Sequence, residues 1–236
     1  MAGIDTALAD VRRRIAVASG RSGRTDDVIL VAVTKGVGID LVRAAIAAGV
    51  TDFGENRIQE AAPKIHAMSG IEGSFLQGLY HEARWHMVGH LQRNKARKAL
   101  ELFDVIQSVD SLRLAADLSA RATAPLEVFL QVNVSGYQQK YGFPPDKVET
   151  AATEIATLPR LNLTGLMTIA PMTDDPEAVR PAFRRLRELR DRLNSLDIPG
   201  LHLRHLSMGM SNDFEVAIEE GATIVRIGRA IFGQRA

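Results

Sequence analysis

Apolar residues recur along the chain in two rhythms. Ile4, Leu8, Val11 and Ile15 are spaced by four, three and four, the stripe of an amphipathic helix that precedes every strand. A polar loop at 20–27 leads into short apolar runs that read as strands, at 28–34, 51–54, 85–88, 105–109, 127–134, 161–169, 203–207 and 223–227. Helical patterns lie between them, at 40–48, 57–67, 94–102, 111–122, 145–158, 176–196 and 213–220. Residues 229–235 leave room only for a very short last helix. Runs such as ILVAV and VFLQVNV are apolar at successive positions, as expected of parallel strands covered by helices on one face and a core on the other.

Eight strands alternating with helices predict βαβ units, and eight is the number that closes a parallel barrel. The expected fold is therefore α/β, a (β/α)8 TIM barrel with a leading N-terminal helix. An open doubly wound sheet is the alternative, because periodicity counts strands without showing closure. No repeat, linker or low-complexity segment interrupts the 236 residues, so one domain over 1–236 is expected, with an irregular excursion at 68–84.

Composition narrows the function. Twenty-nine basic and 28 acidic residues leave a net charge of +1, so no global field draws the chain toward nucleic acid or anionic lipid. The absence of cysteine removes disulfides, thiolate metal sites and a cysteine nucleophile, and it fits a reducing cytoplasm. Asp5 and Asp10 interrupt the apolar stretch that a signal peptide needs, and no run approaches a membrane span.

In a barrel of this kind chemistry belongs to the C-terminal ends of the strands. Lys35 ends the first strand, on the side of Ile29, Val31 and Val33. Partial desolvation at that rim favours a nucleophilic amine, although a lysine there can equally snorkel to solvent. Asn56 follows the second strand and suits a ligand oxygen or the cap of the next helix. After strand seven, Ser207-Met208-Gly209-Met210-Ser211-Asn212-Asp213 is a small-residue loop entering a helix, and strand eight ends Arg226-Ile227-Gly228-Arg229. Loops seven and eight commonly hold phosphate through backbone N–H groups, which nominates Ser211 and Gly228. A capping box between Asn212 and Glu215 would need no ligand. Arg226 alternates with Ile224 and Gly228, so a cation sits inside an apolar strand and requires a carboxylate or a ligand as its partner.

Other patterns point away from chemistry. His86 and His90 straddle a strand end, where a spacing of four does not form a zinc face. Asp213 stands where a nucleophile elbow needs glycine, and no complete dinucleotide or Walker motif exists. Arginines at 180, 184, 185, 187, 190 and 192 surround an apolar helical stripe, as on a solvated face. The basic segment 92–98 is a weak candidate for RNA binding.

Five stretches together resemble one family: AVTKG at 32–36, FGENRIQEA at 53–61, WHMVGHLQRNK at 85–95, GLMTIAP at 165–171 and LSMGMSNDFEVAIEEGATIVRIGRAIFG at 206–233. They look like the YggS/PROSC family of pyridoxal 5'-phosphate (PLP) homeostasis proteins, relatives of the alanine racemase barrel of fold type III. The resemblance implies that Lys35 holds PLP as a Schiff base. It also implies that Ser211, Gly228 and the backbone of Arg229 hold the phosphate, that Arg226 faces the pyridine nitrogen and that Asn56 lines the ring. Ser207 and Met208 are implied as neighbours of the cofactor. Arg229 departs from the family's usual threonine, keeping the backbone N–H but losing a hydroxyl contact. The racemases carry an additional β domain with a catalytic tyrosine, for which this chain has no room. The expectation is thus a monomeric carrier that buffers PLP or delivers it to apo-enzymes. A weak amino-acid racemase or Schiff-base lyase is the alternative. Lys140, in the loop after strand five, is a candidate second aldehyde contact during delivery.

Overall fold

The computed structural model describes residues 3–23, 26–69, 78, 82–135, 141–171 and 173–233. Lys140 lies outside them. Eight strands, β1 (Ile29–Val33), β2 (Asp52–Glu55), β3 (Arg84–Met87), β4 (Val105–Val109), β5 (Leu126–Gln131), β6 (Leu161–Met167), β7 (His205–Ser207) and β8 (Ile224–Ile227), form a closed barrel in sequence order. Every neighbouring pair is parallel, and β8 closes on β1 with Ile29 opposite Ile224 and Val31 opposite Arg226. Closure removes both sheet edges, so the open-sheet alternative does not apply.

Around the barrel lie α1 (Ile4–Arg21), α2 (Ile39–Ala47), α3 (Ile58–Ser69), α4 (Ala96–Leu100), α5 (Leu112–Arg121), α6 (Val148–Ala156), α7 (Arg180–Asn194), α8 (Phe214–Glu219) and α9 (Arg229–Phe232). Several are shorter than their apolar stripe suggests. The stretches before α4, α6 and α7 are 3-10 turns, and two of these begin at Pro145 and Pro176, where a missing N–H costs nothing. No helix among the described residues is long and apolar enough to cross a membrane.

Strand alternation divides the core into two. Val31, Val105, Phe129, Met167 and Ile224 meet inside the barrel with Ile29. A larger cluster, including Ala32, Phe53, Ile106, Leu130, Leu206 and Val225, lies between the strands and the helices. The strands are not apolar on both faces throughout, as their sequences suggest: Asp52, His86, Gln107, Ser207 and Arg226 are buried as well. Their inward positions run as a polar path through the barrel interior, from Asp52 at the start of β2 to Ser207 and Arg226 on β7 and β8.

The leading helix is neither a lid nor a plug. Because α9 has a single turn, the ring of helices is thin after β8, and α1 packs there against α2, α8 and α9. Leu8 and Val11 are buried in that contact. Arg14 pairs with Glu215 at 2.6 Å and stacks over the Phe214 ring. Arg12 donates to Ala48 O at 3.1 Å and Gly49 O at 2.8 Å, covering the C-terminal carbonyls of α2. The outer arginines of α7 are also engaged: Arg180, Arg184 and Arg187 converge on the buried Glu220 carboxylate at 3.3, 2.9 and 3.1 Å. Burial pushes the Glu220 carboxyl up, but hydrogen bonds from Arg184 and Arg180 and the charge of Arg187 outweigh it and hold it below its usual range.

The end of β1 is pinned from outside the barrel. Glu55 points toward α3, where Lys64 Nζ donates to Glu55 Oε1 at 2.6 Å and to Thr34 O at 2.6 Å. The Thr34 hydroxyl donates to the same carboxylate oxygen at 2.6 Å. Gly36 sits at φ 69, in the left-handed region, and its N–H donates to Glu60 Oε2 at 3.0 Å. Lys35 is therefore held between two fixed backbone points.

Two outcomes are expected. Lys64→Met, which strands a buried carboxylate, should lower the unfolding free energy by about 3–5 kcal/mol in chemical denaturation, and adding Glu55→Gln should restore part of it. Glu220 has a depressed folded-state value, so its contribution is complete above its unfolded value near 4.5 and disappears as pH falls through the folded value. The Tm of the wild type should accordingly fall more steeply than that of Glu220→Gln as pH is lowered below about 4.5.

Candidate cofactor-binding site

The C-terminal mouth of the barrel gathers Lys35, Asn56, Arg226 and Gly228, as the alternation of their strands requires. Lys35 is half-buried and makes no hydrogen bond or ion pair among the described residues. It lines a cavity of about 770 Å3 together with Asn56, Met87, Gly89, His90 and Tyr141. Asn56 likewise makes no side-chain hydrogen bond among the described residues, so the capping role is not the one it takes. The approach of the next loop is fixed by Gly89, where a Cβ would stand 2.3 Å from Asn56 O.

On the other side of Lys35 stand the loops after β7 and β8. Gly228 packs beside the end of β1, and a Cβ there would meet Val33 O at 3.1 Å. The Ser211 hydroxyl accepts from Ala230 N at 3.3 Å, which brings the β7 loop onto the start of α9. That loop is turned by Gly209 at φ 93, whose carbonyl accepts from Arg226 N at 3.0 Å. Any Cβ at Gly209 would lie 2.6 Å from Ala217 Cβ. The capping box expected from Asn212 and Glu215 does not form. Asp213 occupies the cap position and accepts from Met210 N at 2.6 Å, Asn212 accepts from Arg229 at 3.4 Å, and Glu215 is committed to Arg14.

Met208 and Ser207 part company at this point. Ser207 faces the barrel interior, whereas Met208 faces the opposite way and its side chain is buried in the cluster under the helices. Its N–H is spent on Ile224 O at 3.1 Å. Of the two expected neighbours of the cofactor, Met208 thus has its side chain turned away from the mouth, because adjacent residues of a strand point to opposite faces.

Arg226 stands at one end of the polar path. It is buried, with Nη1 donating to Ser207 Oγ at 2.6 Å and Nη2 to Thr168 O at 2.7 Å. No carboxylate among the described residues lies within ion-pair distance of it. Burial pushes its pKa down to about 10, opposed by the more distant charge of Asp213. The Asp213 carboxyl is in turn pushed up by burial, against the Met210 N–H and the charge of Arg226.

Hydrogen bonding continues from Arg226 across the barrel, and its direction is fixed. A guanidinium only donates, so Ser207 Oγ accepts from it and passes its own hydrogen to Gln107 Oε1 at 2.6 Å. The Gln107 amide nitrogen then faces His86 Nδ1 at 2.8 Å, which must accept. His86 is left with its hydrogen on Nε2, donated to Asp52 Oδ1 at 3.0 Å. Burial raises the Asp52 carboxyl, but hydrogen bonds from His86 and Thr51 and the nearby charge of Arg84 bring it below its usual range. Gln107 and Asp52 escape notice in the sequence, and His86 draws it only as half of a discounted zinc pair. Their signal is a polar residue at an inward position of three successive strands.

Two further sets emerge or recede. His90 and Asp110, at the ends of β3 and β4, lie 2.8 Å apart beside Lys35's cavity. The basic segment 92–98 is partly neutralised, with Arg93 on Asp117 at 2.7 Å and Arg97 on Glu101 at 3.5 Å. No cluster able to hold a metal ion occurs among the described residues.

Residues 7–236 match the family described as alanine racemase, N-terminal domain. A pyridoxal phosphate homeostasis protein of Aquifex aeolicus is 40% identical over 232 residues, covering 97% of this chain and 96% of its own. The solved structure of PipY from Synechococcus elongatus with PLP bound superposes with a TM-score of 0.82 at 34% identity, covering 98% of this chain and 100% of PipY. Alanine racemase from Corynebacterium glutamicum, at 16% identity and a TM-score of 0.69, shares the barrel alone, with 98% of this chain matching 62% of the racemase. An eight-stranded parallel barrel with a rim lysine, an interior arginine and this extent of full-length identity places the chain in the family of pyridoxal phosphate homeostasis proteins, on the barrel of the alanine racemase N-terminal domain.

Proposed function

We propose that this protein binds PLP at the mouth of its barrel, holds it as a Schiff base on Lys35, and acts in the cytosol as a reservoir that delivers it to apo-enzymes. The observation that carries the reading is Arg226: a buried guanidinium with no carboxylate at ion-pair distance among the described residues has donors to spare, which suits an acceptor-rich anionic ligand. The donor set fits. Lys35 supplies an unpaired primary amine, Asn56 a free amide beside it, and Ser211, Gly228 and Arg229 a junction of hydroxyl and backbone N–H for phosphate.

When bound, PLP supplies an aldehyde for amine capture and a conjugated ring. Lys35 is the nucleophile for that aldehyde. Arg226 would offer an N–H to the ring nitrogen and cannot accept a proton, so it would leave that nitrogen a hydrogen-bond acceptor and the ring a weak electron sink. Ser207 acts at one remove: its hydroxyl is held between Arg226 and Gln107, so it orients the guanidinium. The chain Asp52–His86–Gln107–Ser207 leaves Arg226 few ways to turn. This favours holding over turnover. A weak racemase or Schiff-base lyase draws its support from the His90–Asp110 pair in the same cavity.

Ligand-free protein mixed with PLP should turn yellow, and borohydride should trap the label on Lys35, with Lys35→Ala remaining colourless. A colourless wild type would refute the reading. Arg226→Gln should bind PLP about tenfold or more weakly, the scale of one charge-assisted hydrogen bond, measured by absorbance titration. Incubation with single-enantiomer amino acids should yield neither the opposite enantiomer nor a keto acid at useful turnover.

A further inference from the structure

His90 follows β3 and Asp110 follows β4, and the two are joined by a 2.8 Å contact between His90 Nδ1 and Asp110 Oδ2. An ionised carboxylate only accepts, so Nδ1 carries the hydrogen and the neutral ring keeps its lone pair on Nε2. Among the described residues Nε2 has no hydrogen-bond partner. The ring is further fixed by Tyr141, stacked on it at 3.7 Å between centroids and 10° between planes. The His90 side chain is 32% exposed and that of Asp110 11%, so the carboxylate is the sheltered partner and the imidazole the accessible one. His90 and Lys35 line one cavity, on the side of Lys35 away from Ser211 and Gly228. A carboxylate-oriented imidazole with a free nitrogen is the arrangement of a general base.

We propose that His90 is the acid–base group for amine capture in this cavity and that Asp110 is its positioning residue. The inference rests on the reading of Lys35 as the amine that captures an aldehyde. The ammonium form of that amine carries three protons and has no lone pair. His90 Nε2, directly or through one water, takes one of them. The freed nitrogen attacks the aldehyde carbon, forming the C–N bond while the carbonyl π pair moves to oxygen, which takes a second proton from nitrogen. His90 returns the first proton to that oxygen, which leaves as water while nitrogen keeps the third proton and forms the C=N bond. Charge and protons balance without a co-reactant. The reverse sequence serves release, and a primary amine of a recipient can use the same base.

A base that acts on the path changes rates in both directions and leaves the equilibrium alone. In stopped-flow mixing of ligand-free protein with PLP, His90→Gln is expected to slow growth of the visible band about 100-fold and to slow release equally, so that Kd is unchanged. Asp110→Asn should lose less. In ligand-free protein, ring 15N shifts of His90 should report hydrogen on Nδ1. Capture by His90→Gln at the wild-type rate, a changed Kd with an unchanged capture rate, or hydrogen on Nε2 would each overturn the proposal. A wild type that develops no band, indistinguishable from Lys35→Ala, would instead overturn the cofactor reading.

Discussion

A positive charge buried near the mouth of a closed barrel constrains much of what surrounds it. Arg226 is on β8, and alternation together with the β1–β8 register leaves its side chain no direction but inward. Taking a guanidinium out of water costs several kcal/mol unless its donors are met. Two are met, by Ser207 Oγ and Thr168 O, and meeting them commits β6, β7 and β8 to one arrangement. Since a guanidinium cannot accept, the same charge sets the direction of each bond beyond it, to Gln107, His86 and Asp52 on three more strands. The His86 tautomer is thus settled from the far side of the barrel.

A second charged group, this time outside the barrel, sets the position of Lys35. The Glu55–Lys64 pair binds both the carbonyl and the hydroxyl of Thr34, the residue before Lys35. Lys35 is therefore carried on a backbone tied to β2 and α3, while the guanidinium is tied to the interior. Between these anchors the rim side chains Lys35 and Asn56 are left without partners among the described residues. The proposed role of holding a reactive aldehyde needs that combination of a fixed frame and unspent donors. The outer ring contributes by completion: α1 covers the gap left by the one-turn α9, so that β8 and β1 are sheltered where they close.

Much of this was legible along the chain. The period of two placed Lys35, Arg226 and Gly228 on inward positions, and the count of eight strands with intervening helices gave the barrel. It also separates Ser207 from Met208, although both were expected beside the ligand. The interior chain of hydrogen bonds was not legible, because its members are distant in sequence: Gln107 and Ser207 are 100 residues apart. Inward facing is a local property, but which inward residues meet across a barrel depends on strand tilt and register. The same holds for His90 and Asp110, 20 residues apart and brought together only when β3 and β4 pair. The arginines of α7 read as a solvated face, and local pattern had no means of showing that Glu220, on another element, gathers three of them.

By itself, then, the sequence determined the elements, the facing of each strand residue and the groups available at the strand ends, since all of these follow from periodicities of two and 3.6 residues. Only the tertiary structure decided that, among the described residues, Arg226 has no carboxylate at ion-pair distance, that Lys35 and Asn56 remain unspent, and that an oriented imidazole shares their cavity. Those are questions of partners, and partners are chosen by the closure of the barrel, which brings together side chains that no local pattern connects.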